Sequence, residues 1–134
     1  MREEGNKEMV RRWDEEAWGG NDRDVIDHVL APDYTVNGEA IGAEGVERSV
    51  EWLQATFRYP HLTLEDLVAE EDKVVLRWGL HGEHTDAFLG VTPTGRTLEP
   101  RGINVYRLAG GRIVENHEVV DIHGLLEQLG TTPT

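Results

Sequence analysis

The sequence contains no cysteine, which excludes disulfides, thiolate nucleophiles and cysteine-ligated metal or iron–sulfur centres. Lysine is nearly missing as well, since among 13 basic residues only Lys7 and Lys73 are lysines. The other 11 are arginines. Against 26 acidic residues the balance is a formal charge of −13, which disfavours nucleic-acid phosphates and anionic membrane surfaces as partners. No uninterrupted apolar run reaches the roughly 20 residues that a membrane-spanning helix needs. The N-terminal segment MREEGNKEMVRRW is charged rather than apolar, so a cytoplasmic protein without membrane attachment is expected. Chemistry therefore falls to carboxylates, imidazoles, hydroxyls and backbone groups. There is no internal repeat, low-complexity tract or linker, and 134 residues suit a single domain over 1–134 with room for a small cavity.

Helices come first in the chain and strands follow. Met9, Val10, Trp13, Ala17 and Trp18 recur at helical spacing between acids and arginines, which predicts an amphipathic helix over Asn6–Trp18, ended by Gly19 and Gly20. Asn21 or Asp22 caps a second helix through Leu30, with Pro32 barring its continuation. Tyr34–Asn37 reads as a short strand. A third helix spans Ala43–Phe57, with Val46, Val50, Leu53 and Phe57 on one face. Alternation then predicts strands over His61–Glu70, Lys73–His84, Leu98–Leu108 and Arg112–Val120, separated by turn-forming clusters such as Ala109-Gly110-Gly111. Helices gathered ahead of an antiparallel sheet predict an α+β fold, with N-terminal helices packed on a curved sheet that forms a cone. Val74, Leu76, Trp78 and Leu80 share one strand face and suit either a core or an interface.

The densest cluster of chemistry lies in the segment GGRIVENHEVVDIHGLL. Strict alternation puts Ile113, Glu115, His117, Val119 and Asp121 on one face of the last strand. An imidazole and a carboxylate beside Val119 suggest the wall of a polar-floored cavity, with His117 and Asp121 as candidates for acid/base chemistry. Asp121 also stands where a helix N-cap is favoured, just ahead of Ile122–Leu129. Trp13, Trp52, Phe57 and Phe88 belong to the core and to the wall of any cavity, a site suited to a small hydrophobic ligand. Asn104 could orient a carbonyl. His81 and His84 fall on opposite strand faces, so HGEH is a poor metal signature, and no metal is expected.

The runs NKEMVRRWDEEAW, LAPDYTVNG, HGEHTDAFLGVTPTGR, RGINVYRL and GGRIVENHEVVDIHGLLEQLG together resemble the SnoaL-like polyketide cyclase family, within the nuclear-transport-factor-2-like superfamily. The most diagnostic pieces are the connection His84–Arg96 and the G-R-I-V-E strand leading to Asp121. The resemblance implies a cone-shaped α+β barrel with an interior pocket, usually dimeric. Its cyclases close a polyketide ring by intramolecular aldol condensation, without cofactor, metal or covalent intermediate, using an aspartate that matches Asp121. A carboxylic acid in an apolar cavity suits that role, because its charged form is disfavoured and its pKa rises toward neutrality. Members often carry Trp where His117 stands and Asp where Asn104 stands. On this view Asp121 and His117 are catalytic, while Trp13, Trp52, Phe57, His84, Phe88, Asn104 and Val119 bind substrate. Double-bond isomerisation, epoxide opening, a non-catalytic carrier and an interaction module are the alternatives on the same scaffold.

Overall fold

The computed structural model describes residues 2–20 and 22–130. Helix α1 (Arg2–Arg12) runs directly into a π-helical segment (Trp13–Trp18), in which the Gly19 N–H reaches Asp14 O at 3.1 Å. Helix α2 (Arg23–Val29) is capped by Asp22, whose side chain accepts from the N–H groups of Asp24 at 3.1 Å and Val25 at 3.4 Å; the alternative cap, Asn21, lies outside the described residues. Strand β1 (Leu30–Val36) begins as soon as α2 ends and is longer than the predicted Tyr34–Asn37, with Pro32 inside it. After the two-residue strand β2 (Glu39–Ala40) comes helix α3 (Gly42–Thr56). The remaining elements are β3 (Phe57–Glu70), β4 (Lys73–His84), β5 (Thr97–Leu98), β6 (Arg101–Ala109), β7 (Arg112–Val120) and α4 (Ile122–Leu129).

The sheet order is β2-β1-β7-β6-β4-β3, with β5 added to β4. Most pairs are antiparallel, as expected, but β1 pairs with β7 in parallel. The sheet is therefore mixed, and it curls into a half-barrel. The long crossover that a parallel pair needs is supplied here by everything between β1 and β7. The predicted strand Leu98–Leu108 is divided into β5 and β6 around Glu99 and Pro100, and the Pro100 carbonyl accepts from the Leu80 N–H at 2.9 Å.

Val10, Trp13, Ile26, Val50, Val74, Leu76, Tyr106 and Ile113 belong to the main core between the helices and the concave sheet face. A smaller cluster joins Phe57, Leu80, Leu98 and Leu129. The row Val74, Leu76, Trp78, Leu80 thus faces the interior and not a partner.

One irregularity decides which residues of β7 enter that interior. Arg107 pairs with Glu115, yet Leu108 pairs with Ile113, so Val114 is an extra residue bulged out of the ladder. The bulge reverses the alternation. Ile113 is buried, but beyond Val114 it is Asn116, Glu118 and Val120 that turn inward, while His117 and Val119 turn outward. The single face expected for Ile113, His117 and Val119 does not exist, because strict alternation holds only in an unbulged strand.

Candidate functional site

Between α3, the π-helical segment and the concave sheet face lies a cavity of about 770 Å³, a size suited to small-molecule ligands. Its walls are mainly apolar and include Trp18, Trp52, Leu53, Phe57, Trp78 and Phe88. Polar side chains line it from five elements: Asp14 from the π-helical segment, Glu39 from β2, Arg48 and Ser49 from α3, Asn104 and Tyr106 from β6, and Glu118 from β7. Asn104 and Glu118 face each other across the β6–β7 ladder.

Asp14 is 7% exposed. Burial, reinforced by the neighbouring charge of Glu15, raises its pKa from 3.8 to about 6. Burial also pushes Glu118 up, with hydrogen bonding to Asn104 acting in the opposite direction. The Tyr106 phenol is held well above its ordinary value by burial, so it remains protonated and able to donate. The Trp78 indole N–H donates to Asn104 Oδ1 at 2.8 Å, and Asn104 Nδ2 donates to the Tyr106 oxygen at 3.0 Å. An apolar space that holds two carboxyl groups of raised pKa beside a phenol can exchange protons with a ligand near neutrality and donate to its oxygens.

Of the residues expected from the sequence, Trp52, Phe57, Phe88 and Asn104 do line the cavity together. Phe88 packs on Trp52 and Phe57 with ring centroids 5.6 and 5.5 Å apart. Trp13 instead lies behind the wall, fully buried and edge-on to Tyr34. His84 is also fully buried outside the lining. Its Nδ1 accepts the Thr94 N–H at 3.1 Å and lies 3.0 Å from the Thr94 hydroxyl, which fastens the return of the 85–96 connection beneath Phe88.

The remaining three are on the outside. Val119 is 73% exposed, and His117 is exposed with its Nε2 3.9 Å from Glu115. Asp121 caps α4, its Oδ1 accepting the Gly124 N–H at 2.9 Å. It borders a separate, shallower cleft with Arg101, Ile103 and His123, although its neighbours Val120 and Ile122 line the main cavity. Asp14, Glu118 and Tyr106 were not anticipated as site residues. Glu118 becomes visible once the bulge is known, and Tyr106 shares the strand face of Asn104. Among the described residues no group of three or more His, Asp or Glu is arranged to hold a metal ion.

A half-barrel closed by helices over an apolar, acid-bearing cavity defines a class of small proteins that hold a ligand inside a curled sheet. Residues 8–129 match the SnoaL-like polyketide cyclase family model, and the chain belongs to that family. It is 32% identical over 128 residues to aklanonic acid methyl ester cyclase AcmA of Streptomyces galilaeus, covering 90% of this chain and 88% of AcmA. Among solved structures it resembles TsrD from Streptomyces laurentii, with a TM-score of 0.84, 28% identity and 96% of each chain covered. IdmH from Streptomyces antibioticus aligns with a TM-score of 0.80 and 29% identity over 93% of this chain and 98% of IdmH. Among the described residues no helix is long and apolar enough to cross a membrane.

Proposed function

We propose that this protein binds a hydrophobic polycarbonyl compound in the cavity and catalyses an aldol-type ring closure, with Asp14 as base and Glu118 as acid. The reading rests on one observation: Asp14 is buried against an apolar cavity with its pKa raised to about 6. The Asp14 carboxylate takes a proton from a carbon flanked by carbonyls. The electron pair left behind forms the carbon–carbon bond to a second carbonyl carbon of the same molecule, whose oxygen receives the proton of Glu118. The kinship with AcmA, itself a cyclase, supports this chemistry. Asp121, at the position of the family's aspartate, is the competing base. A second copy of the chain on the outer sheet face completes the proposal.

The first half-reaction can be tested without knowing the substrate. β-Tetralone, an apolar ketone with an acidified α carbon, is incubated with the protein in heavy water, and loss of its α-proton signal is followed by NMR. Catalysed exchange should rise through about pH 6 as Asp14 ionises, and Asp14→Asn should lower it by about 100-fold or more. Exchange that survives Asp14→Asn but disappears in Asp121→Asn overturns the assignment in favour of Asp121. Binding without any exchange makes the protein a carrier and overturns catalysis.

A further inference from the structure

Four positions of β6 face inward, Gly102, Asn104, Tyr106 and Leu108, and a single side chain of β4 organises the first three. Trp78 pairs with Gly102 in the β4–β6 ladder. A Cβ at residue 102 would overlap the indole at Cζ2, and would stand 2.6 Å from Cε2 and 2.9 Å from Nε1. The missing side chain is what lets the indole lie across the β6 backbone. From there its N–H reaches the next inward residue, Asn104, at 2.8 Å.

An indole N–H only donates, so the atom it meets on Asn104 must be the amide oxygen. This settles the orientation of an amide that could otherwise be turned either way. With Oδ1 occupied, Asn104 presents its NH₂, which donates to the Tyr106 oxygen at 3.0 Å. The phenol is thus an acceptor toward Asn104, and its own proton must point elsewhere. Among the described residues no hydrogen-bond acceptor is assigned to that proton, while Tyr106 lines the cavity. A buried donor without an acceptor is costly, and a ligand oxygen in the cavity would satisfy it.

We propose that Trp78 and Asn104 are positioning residues that hold Tyr106 as the hydrogen-bond donor to a ligand's carbonyl oxygen, so that the cavity selects ketones over hydrocarbons of the same shape. This rests on the ligand-binding reading above and specifies its polar anchor. Tyr106 touches the oxygen on which negative charge develops when the α proton leaves, so its contribution grows along the reaction. Trp78 and Asn104 act only through it.

The test compares β-tetralone with tetralin, the same bicycle without the oxygen, by calorimetric titration and by α-proton exchange. The wild type should prefer the ketone by about tenfold, one net hydrogen bond. Tyr106→Phe should abolish that preference and lower kcat for exchange more than it raises KM. Trp78→Phe, which keeps an aromatic ring but removes the N–H, should do the same. The double variant should be no worse than either single change, since both remove one function. Gly102→Ala, which displaces the indole without touching the three polar side chains, should reproduce the loss. Should Trp78→Phe fail to fold by circular dichroism, Tyr106→Phe, which removes a single oxygen, carries the test. Additive losses, or an unchanged preference in Tyr106→Phe, overturn the proposal while leaving ligand binding intact. If the wild type binds neither compound, the cavity reading itself fails and this inference falls with it.

Discussion

Asp14 illustrates how one residue ties function to stability. Its pKa is raised by burial from 3.8 to about 6, so the folded protein holds the Asp14 proton more tightly than the unfolded chain. The stability linked to that proton is fully present below about pH 4 and is lost as pH rises through about 6. Its size is on the order of 3 kcal/mol, from a shift of about two units at 1.36 kcal/mol each. Asn at this position cannot ionise, so Asp14→Asn should gain stability relative to wild type across that window. Thermal unfolding of both proteins from acid to neutral pH checks this, and a parallel pair of curves would show that Asp14 ionises freely in the fold. Nothing in the sequence marks Asp14 as buried, because it opens the acidic run Asp14-Glu15-Glu16, which reads as the solvated side of an amphipathic helix. Asn104 was legible, being polar and placed in an alternating strand, and so were the aromatics Trp52, Phe57 and Phe88. Asp121 was legible in its other aspect: the structure places it as the cap of α4.

At the scale of elements, regular periodicity was readable and departures from it were not. Strands β4 and β7 and helix α4 span Lys73–His84, Arg112–Val120 and Ile122–Leu129 as the alternation and capping residues predicted. Two irregular features then redistribute the site residues. The π-helical segment turns Trp13, Asp14 and Ala17 together toward the interior, and such segments recur at functional sites. The bulge at Val114 exchanges His117 for Glu118 in the cavity. Both depend on packing between distant segments, which local sequence patterns do not encode.

A third irregular element supports a prediction. Phe88 and Val91 exchange backbone hydrogen bonds of 3.0 and 2.9 Å around a tight turn, with Leu89 at φ 51 and Gly90 at φ 76. Gly, Asn and Asp favour such positive φ, whereas leucine is strained there by about 1 kcal/mol. Leu89 nevertheless lines the cavity, which is a reason to tolerate the strain. Leu89→Asn should therefore raise unfolding stability by about 0.5–1 kcal/mol while weakening the binding of apolar ketones. Denaturant melts and calorimetric titrations of the same variant read both effects. A variant that loses stability would show that Leu89 contributes more by packing than it costs in backbone strain.

For the whole molecule, the question is how chains of charge −13 could associate. Charge this large opposes contact unless the meeting faces are locally balanced. The convex face of the sheet meets that condition. Lys73, Arg77, Arg101 and Arg107 all project from β4 and β6 on this side, so nearly a third of the 13 basic residues collect there. Between them runs an apolar patch in which Val68 pairs with Val75, Val75 with Val105, and Ile103 with Val119. Ile103 is 47% exposed and Val119 73% exposed. A contiguous patch of this kind marks an interaction surface, and two copies related by a twofold axis would cover each other's patch with the same residues. The wild type should therefore sediment as a dimer at micromolar concentration. Added salt should tighten it, because screening reduces the repulsion between the acidic remainders while leaving apolar burial in place. Ile103→Glu sets new negative charge at the centre of the patch and should give a monomer whose circular dichroism and cavity binding match the wild type. A wild-type monomer throughout that concentration range would leave the convex face free and remove the partner copy from the proposal.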